Sequence, residues 1–259
     1  MGKIISIVNQ KGGVGKTTTA VNLTASLGVL GCKVLLIDID PQGNATSGLG
    51  INKRTVRYSS YDLIIGEAGF EDTVIQTRFK NVWVIPSHID LAGAEIELVS
   101  IDRREYKLRE AIVAYKSKFD YIIIDCPPSL GLLTLNGLTA CDTILIPIQC
   151  EYYALEGLSQ LMSTVRQVKR LYNPRIELEG VLITMYDSRL NLTVQVGQEV
   201  KKHFPQKVYS TAIPRNVRLS EAPSYGRPVR YYDGSSKGSS AYDDLAKEII
   251  EQNRDTEEE

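Results

Sequence analysis

Residues 3–18 read KIISIVNQKGGVGKTT, and this stretch decides the fold. Its aliphatic first half predicts a buried β-strand over residues 3–9. The glycines that follow predict a tight turn over residues 10–15. Residues 16–30 have the spacing of a helix, with these apolar side chains on its inward face: Ala20, Leu23, Leu27 and Leu30. Strand, glycine-rich turn and helix in this order form the context of a phosphate-binding loop.

Further aliphatic runs follow along the chain, at residues 34–37, 82–85, 121–124, 143–148 and 181–183. Each run is unbroken rather than alternating, which is typical of strands covered on both faces in a parallel sheet. Between the runs lie segments with helical periodicity, the clearest of which extends from Leu155 to Leu171. This alternation predicts the α/β class, with a doubly wound, mostly parallel sheet and helices on both faces.

The length of 259 residues and the ordinary composition, 43% hydrophobic and 24% charged, predict one domain over residues 1–253. Residues 254–259 end in three glutamates and are predicted to form an acidic disordered tail. No apolar run approaches the roughly 18 residues that cross a bilayer, and no secretory signal precedes the first strand. We therefore expect a cytoplasmic protein without a membrane partner, in which the four cysteines are reduced and mostly buried.

The phosphate loop places residue types of known chemistry in a fixed order. Gly12, Gly13 and Gly15 let backbone N–H groups converge on phosphate oxygens, and the helix N-terminus adds its dipole. Lys16 can reach the β- and γ-phosphates, while the Thr17 hydroxyl can ligate magnesium. The predicted ligands are therefore ATP and Mg²⁺. The loop residues predicted to bind the nucleotide are Lys11, Gly12, Gly13, Val14, Gly15, Lys16, Thr17 and Thr18.

The strict phosphate-loop pattern G-x-x-x-x-G-K-[ST] fails in this chain, because Gln10 stands where the first glycine belongs and a second lysine, Lys11, follows it. A glycine-rich turn with a solvated lysine is the alternative interpretation. The segment KGGVGKT resembles the deviant Walker A ATPases, which include ParA, MinD and the nitrogenase iron proteins. The resemblance implies that Lys11 reaches the nucleotide of a partner chain. A homodimer would then sandwich ATP, and Lys11 would join Lys16 in catalysis.

Three aspartates lie where predicted strands end. Asp38 and Asp40 follow one aliphatic run, and Asp125 follows another. Ligands in open α/β sheets bind at the carboxyl ends of the strands. We predict that Asp40 orients the attacking water and that Asp38 supports the magnesium shell. Asp125 resembles a Walker B aspartate, which holds magnesium together with Thr17. The alternative is that these aspartates only cap helices or form turns.

Beyond the loop, the chain resembles the ParA-type partition ATPases, in the short Soj-like form, over nearly its whole length. The matching segments are residues 38–50 (DIDPQGNATSGLG), 91–98 (LAGAEIEL), 125–133 (DCPPSLGLL), 149–158 (QCEYYALEGL) and 213–223 (IPRNVRLSEAP). The resemblance implies that an ATP-bound dimer binds double-stranded DNA without sequence preference and associates with the nucleoid. It also implies a ParB-type activator and a role in chromosome or plasmid segregation. Met185 and Pro214 would lie near the adenine base.

The C-terminal third of the chain is basic. Residues 166–230 contain twelve Lys or Arg against five Asp or Glu, although the net charge of the whole chain is −1. Such asymmetry is consistent with a polyanionic partner. The resemblance places Arg189 and Arg218 on the DNA-binding face, and Lys201 and Lys202 are weaker candidates. The alternative is that these residues are solvated surface charges.

Three other functions are compatible with a phosphate loop of this kind, and each needs a further feature. A MinD-like membrane-cycling ATPase needs a basic amphipathic C-terminal helix, whereas the last helix here is acidic on its polar side and is expected to pack onto the sheet. An iron–sulfur reductase needs suitably placed thiolates, but Cys126, Cys141 and Cys150 have the pattern of core residues. A small-molecule kinase needs an acceptor site, for which the sequence has no signature.

Overall fold

One mostly parallel sheet organises the chain. The computed structural model describes residues 2–151 and 153–258, with the side chains of residues 255–258 outside the description. The strands are β1 (Lys3–Ile7), β2 (Val34–Asp38), β3 (Ile75–Gln76), β4 (Val82–Ile85), β5 (Tyr121–Asp125), β6 (Thr143–Gln149) and β7 (Glu177–Thr184). Within the described residues they form a seven-stranded sheet in the order β3-β4-β2-β5-β1-β6-β7. The strand pairs in this part of the chain are parallel except β3 with β4.

The aliphatic runs of the sequence all form strands of this sheet, so the predicted α/β class is confirmed. Most strand bounds agree with the prediction within two residues, but β7 begins at Glu177, four residues before the predicted run. The sequence did not predict β3. This strand is two residues long and pairs antiparallel at the edge of the sheet, where burial on both faces is not required.

Helices cover both faces of the sheet. They are α1 (Lys16–Val29), α2 (Asn44–Gly48), α3 (Ser60–Ile65), α4 (Phe70–Thr73), α5 (Leu91–Glu97), α6 (Lys107–Ile112), α7 (Leu132–Ala140), α8 (Ala154–Leu171), α9 (Asn191–His203), α10 (Val217–Glu221), α11 (Val229–Tyr232) and α12 (Lys237–Glu258). Short 3-10 helices lie at Lys53–Thr55, Leu98–Ser100, Arg104–Tyr106, Val113–Lys118 and Ala222–Tyr225.

Successive side chains of a strand belong to two different cores. Ile4 of β1 packs in a cluster that includes Leu161 of α8. The next residue, Ile5, packs in a second cluster with Leu23 of α1 and Leu245 of α12. Because neighbouring residues of a strand point to opposite faces, each face of the sheet has its own layer of helices. This explains why the strands read as unbroken apolar runs.

The register of the central strands brings their carboxyl ends together. Asp38 of β2 pairs with Asp125 of β5, and Ile7 of β1 also pairs with Asp125. The glycine-rich loop follows β1 directly and therefore lies at the same edge. The strand order β2-β5-β1 thus places the loop and two of the predicted aspartates around one site.

Two side chains at helix ends differ from the sequence prediction. Leu30, predicted to face inward, lies just after α1 and is 41% exposed. Leu171, the last residue of the predicted stripe in α8, is 57% exposed. Helical periodicity predicts which face of a helix is apolar. It does not predict how far along the helix the neighbouring layer extends.

The last helix packs against the rest of the chain, as predicted. Leu245, Ala246 and Ile249 of α12 are fully buried, and the Tyr242 hydroxyl lies 3.1 Å from Thr19 Oγ1 of α1. The helix continues to Glu258. Residue 259 and the side chains of residues 255–258 lie outside the described part of the chain, so the acidic tail at residues 254–259 stays a prediction.

We expect Gly28→Ala to destabilise the protein. An added Cβ at Gly28 in α1 would overlap the carbonyl oxygen of Lys80 and lie 2.9 Å from Val82 Cγ2. Overpacking of this kind costs about 1–3 kcal/mol, which urea denaturation measures. Gly157→Ala in α8 is the matched control, because its added Cβ meets only Gln10 Nε2, at 3.9 Å. Equal stability of the two variants would contradict the close packing of α1.

Candidate functional site

The loop between β1 and α1 has the backbone that its glycines predict. Gly13 and Gly15 have φ angles of 76° and 89°, in the left-handed region that disfavours other residues. An added Cβ on Gly12 or Gly13 would meet no atom within 4 Å, so the space above the loop is open. Backbone N–H groups can therefore face a phosphate without a side chain in between.

Two polar side chains hold the loop in place, Thr184 at the end of β7 and Asn9 just after β1. The Thr184 hydroxyl at the end of β7 lies 2.8 Å from the carbonyl oxygen of Val14 and 2.9 Å from that of Ile148, and donates to one of them. The Asn9 side chain accepts a hydrogen bond from the Lys11 amide at 2.9 Å and donates one to the Pro147 carbonyl at 2.8 Å. The sequence prediction missed both anchors. The sequence feature that could have predicted them is a polar residue at the carboxyl end of a buried strand.

Lys16 is buried within the loop, with 6% of its surface exposed. Its ammonium donates a hydrogen bond to the carbonyl oxygen of Lys11 at 2.9 Å. Burial lowers the pKa of Lys16, and the nearby Asp125, Cys126 and Asp40 oppose this shift. The ammonium group therefore lies beneath the open space of the loop, among groups that favour its charged form.

Lys11 is exposed, unlike the buried Lys16. Its ammonium forms an ion pair with Glu151, which lies between β6 and α8. Gln10 Nε2 donates to Gln160 Oε1 of α8 at 2.8 Å. Both residues before the glycines thus contact the β6–α8 region of the same chain. Sequence reasoning missed Glu151, although it is a carboxylate just after a strand end, the same signal that identified Asp38 and Asp125.

Asp125 is fully buried, and neither of its carboxylate oxygens has a hydrogen-bond partner within the described part of the chain. Burial raises the pKa of Asp125 well above its usual range, and the nearby Asp38 raises it further. Thr17 and Lys16 oppose the shift. A buried carboxylate without partners is costly unless a cation compensates for it. The site therefore fits a divalent cation that one carboxylate and phosphate oxygens can share.

The other two aspartates do form the local contacts of caps and turns. Asp38 Oδ2 accepts hydrogen bonds from Thr46 N at 2.8 Å and Thr46 Oγ1 at 2.7 Å, which holds the start of α2. Burial raises the pKa of Asp38 to about 6. Asp40 Oδ1 accepts a hydrogen bond from Gln42 N at 2.9 Å, as in an aspartate turn. Asp40 is only 6% exposed, and its negative charge raises the pKa of Lys16, against the larger effect of burial. Its role with the attacking water stays a prediction, as does the support of magnesium by Asp38.

The described residues contain no group of three or more His, Cys, Asp or Glu side chains arranged as a metal site. This does not conflict with a magnesium site, since Mg²⁺ bound with a nucleotide takes one or two protein ligands and keeps several waters.

Met185 and Pro214, the predicted base contacts, lie close together. Tyr186, next to Met185, forms a parallel bridge with Pro214, and both predicted residues are half-buried. Met185 has a φ angle of 51°, a conformation that costs energy in a residue other than glycine and is common at functional sites. Met185 also lines a cavity of about 480 Å³ at the carboxyl edge of the sheet. A bound adenine at this position stays a prediction.

The two arginines predicted to bind DNA are exposed. The Arg189 side chain, after β7, is 86% exposed, and the Arg218 side chain, in α10, is 51% exposed. Each is ion-paired within the chain, Arg189 with Asp187 at 2.7 Å and Arg218 with Glu221 at 2.8 Å. Their position is compatible with DNA phosphates, and equally with solvated charges.

Comparison with known proteins identifies the family. A family model described as an AAA domain matches residues 2–178. The sporulation initiation inhibitor protein Soj of Bacillus subtilis is 61% identical over 249 residues, covering 96% of this chain and 98% of its own. The chromosome partitioning protein ParA of Caulobacter vibrioides is 51% identical over 255 residues, covering 98% of this chain and 96% of its own. The chain belongs to the ParA-type, Soj-like partition ATPases.

Solved structures share the fold of this partition ATPase. A cobyrinic acid a,c-diamide synthase from Mycobacterium smegmatis, solved with bound ADP and magnesium, superimposes with a TM-score of 0.87 at 36% identity. The match covers 98% of this chain and 96% of that structure. That relative holds its nucleotide and metal on the same fold.

Two rival functions lose support in this structure. Cys126, Cys141 and Cys150 are buried, and burial raises the pKa of the Cys141 thiol to about 12 and that of Cys150 to about 11. Such thiols are unsuited to bridging an iron–sulfur cluster between two chains, which requires thiolates. The apolar face of α12 is buried in the partition ATPase, unlike that of a membrane-binding helix. Among the described residues, no helix is long and apolar enough to cross a membrane.

We expect Asp125→Asn to make the nucleotide-free protein more stable near pH 8 than the parent. The folded state raises the pKa of Asp125, so it binds a proton more tightly than the unfolded chain. Protonated Asp125 therefore contributes to the stability of the folded state. This contribution is fully present below the unfolded pKa of about 3.9 and is lost as pH rises through the folded pKa. Asparagine does not titrate. The advantage of the variant in unfolding free energy should therefore grow between pH 4 and pH 8, in urea denaturation without magnesium.

Asp244→Asn, at an exposed position of α12, controls for the loss of one negative charge. A difference between Asp125→Asn and the parent that stays constant with pH would contradict the inference that Asp125 is destabilising when charged.

Proposed function

We propose that this partition ATPase binds and hydrolyses Mg-ATP as a homodimer and binds double-stranded DNA without sequence preference. A ParB-type activator then drives release, and the cycle segregates a chromosome or plasmid in the cytoplasm. The observation that supports the nucleotide part most strongly is Asp125, a buried carboxylate without a hydrogen-bond partner in the described chain, beside Lys16 and an open glycine loop. The partition role rests on the identity to Soj and ParA.

In this proposal each residue of the loop has a separate task. The backbone amides of residues 12–17 and the Lys16 ammonium hold the phosphates, and the Thr17 hydroxyl and Asp125 hold magnesium. Magnesium supplies positive charge that neutralises the phosphate oxygens. Phosphoryl transfer depends mainly on positioning and charge stabilisation, so these groups together with one water-orienting acid suffice. Asp40, which is near enough to Lys16 to raise its pKa, is that acid.

The dimer gives Lys11 its function. In the single chain Lys11 is exposed and its only ion pair among the described residues is with the exposed Glu151. An ion pair between exposed side chains is weak, so Lys11 can leave it for the phosphates of a partner chain. The exposed, weakly paired position of Lys11 is therefore compatible with the role of the second lysine in the deviant Walker A loop.

We expect Asp40→Ala to bind ATP and dimerise, while its hydrolysis rate falls by roughly 10²-fold or more, because the attacking water loses its orienting group. Lys16→Ala serves as the contrast, because loss of the phosphate contact should abolish ATP binding itself. Equilibrium binding of a fluorescent ATP analogue and phosphate release separate the two outcomes. Hydrolysis by Asp40→Ala at the parent rate would remove Asp40 from this role. Unchanged ATP affinity of Lys16→Ala would contradict the site.

We expect the double variant Arg189→Ala and Arg218→Ala to hydrolyse ATP at the parent rate and to lose DNA affinity. Each phosphate contact that is lost reduces the slope of log K against log salt by about 0.9, so the slope should fall by up to about 1.8. Co-sedimentation with DNA in ATP, in ADP and without nucleotide measures both effects. The parent should sediment with DNA only in ATP.

Lys33→Ala with Lys118→Ala is a charge-matched control, because these exposed lysines precede β2 and β5 at the opposite edge of the sheet. If both double variants lost the same DNA affinity, the loss would come from the change in net charge and not from specific contacts of Arg189 and Arg218. Full DNA affinity of the arginine variant would leave Arg189 and Arg218 as solvated charges.

A further inference from the structure

Both arginines of the proposed DNA face are already engaged by carboxylates of their own chain. Arg189 donates to Asp187 Oδ1 through Nε at 2.9 Å and to Asp187 Oδ2 through Nη2 at 2.7 Å. Arg218 contacts two acids, Glu221 Oε2 at 2.8 Å through Nη1 and Asp233 Oδ2 at 3.2 Å through Nε. Part of the hydrogen-bonding capacity of each guanidinium is therefore used before any DNA arrives.

In the first pair, the acid is the fixed member. The Asp187 side chain is only 18% exposed, whereas that of Arg189 is 86% exposed. Asp187 Oδ1 also accepts a hydrogen bond from the backbone amide of Arg189 at 3.1 Å, which ties the carboxylate to the turn after β7. Hydrogen bonds from Arg189 lower the pKa of Asp187 to about 2, so this carboxylate stays ionised at any pH near neutral.

The acids around Arg218 are held by neighbouring hydroxyls. Tyr232 donates to Glu221 Oε2 at 3.2 Å, and Ser235 Oγ donates to Asp233 Oδ1 at 2.9 Å. Two independent elements, the turn after β7 and the segment around α10 and α11, therefore repeat one arrangement. In each, a carboxylate that is held by a further hydrogen bond forms an ion pair with an exposed arginine.

We propose that Asp187, Glu221 and Asp233 compete with DNA phosphates for Arg189 and Arg218, and so hold the DNA affinity of this chain below what its arginines alone would give. The inference rests on the proposed DNA binding. Carboxylates and phosphates accept the same two parallel hydrogen bonds from a guanidinium, so one fork cannot serve both fully. DNA binding therefore exchanges an internal ion pair for a phosphate contact.

A different role of the carboxylates would change the DNA affinity in the opposite direction when they are removed. If the carboxylates served to orient the arginines toward DNA, their removal would weaken binding, because each guanidinium would lose its preferred position. The competition predicts that removal strengthens binding. The sign of the change in DNA affinity separates the two.

Asp187→Asn is the decisive variant, because asparagine keeps the oxygen that accepts from the Arg189 amide but loses the charge that holds the guanidinium. With saturating ATP, we expect the full chain to bind a duplex DNA about two- to fivefold more tightly at 0.1 M salt, the range for an exposed ion pair. The slope of log K against log salt should steepen toward the full value of about 0.9 for one arginine–phosphate contact, because the Arg189 guanidinium then meets phosphate without competition. ATP affinity is measured in parallel, since Asp187 lines the same cavity as Met185.

Glu110→Gln is the matched control. It also raises the net charge by one and frees an exposed arginine, Arg103, whose contact with Glu110 is 3.2 Å, but it lies on α6 outside the basic segment. Its DNA affinity and salt slope should equal those of the parent. An increase in Glu110→Gln as large as that in Asp187→Asn would overturn the competition in favour of a net-charge effect.

The double variant Asp187→Asn with Arg189→Ala closes the cycle, because the gain should vanish when Arg189 is absent. Glu221→Gln with Asp233→Asn repeats the test on Arg218 and decides the matter if Asp187→Asn fails to fold. Unchanged or weaker DNA binding in the folded carboxylate variants would overturn the competition. A parent chain that does not bind DNA in ATP would instead overturn the proposed DNA function itself, so the two failures are distinguishable.

Discussion

Burial of the Asp125 carboxylate without a hydrogen-bond partner in the described chain is the constraint on which the rest of this structure depends. The sheet holds Asp125 beside Asp38 through the register of β2 and β5, although two buried acids repel each other and both have raised pKa values. Such an arrangement persists only where the surrounding packing overrides its cost. The two cores on the faces of the sheet supply that packing. The proposed binding of a cation together with phosphate would offset the cost.

The two lysines of the loop show how a few residues of sequence separate two tasks. Lys16 lies under the loop, where burial lowers its pKa and three neighbouring groups preserve its charge. Lys11 lies outside, in an exposed pair with Glu151. A lysine that serves its own chain must be held at the site. In the proposed dimer Lys11 serves the partner chain, so it must be free to move, and a weak surface ion pair permits that.

The carboxylates of Asp125 and Asp187 lie in opposite environments. Asp125 is buried without a hydrogen-bond partner among the described residues, so a bound cation would lower its free energy. Asp187 is already paired with Arg189, so in the proposed competition its free energy would rise when DNA takes the arginine away. The same type of side chain would thus favour ligand binding in one environment and oppose it in the other. Burial and the presence of an internal partner make the difference.

The sequence by itself determined the α/β class, the phosphate loop and the aspartates at strand ends, because aliphatic runs, glycine spacing and strand-terminal acids are local patterns. It did not determine the edge strand β3, the exposure of Leu30 and Leu171, or the partners Thr46, Thr184 and Glu151. Those depend on which strands become neighbours and on how far each layer extends. Contacts of this kind join residues distant along the chain, so only the tertiary structure decides them.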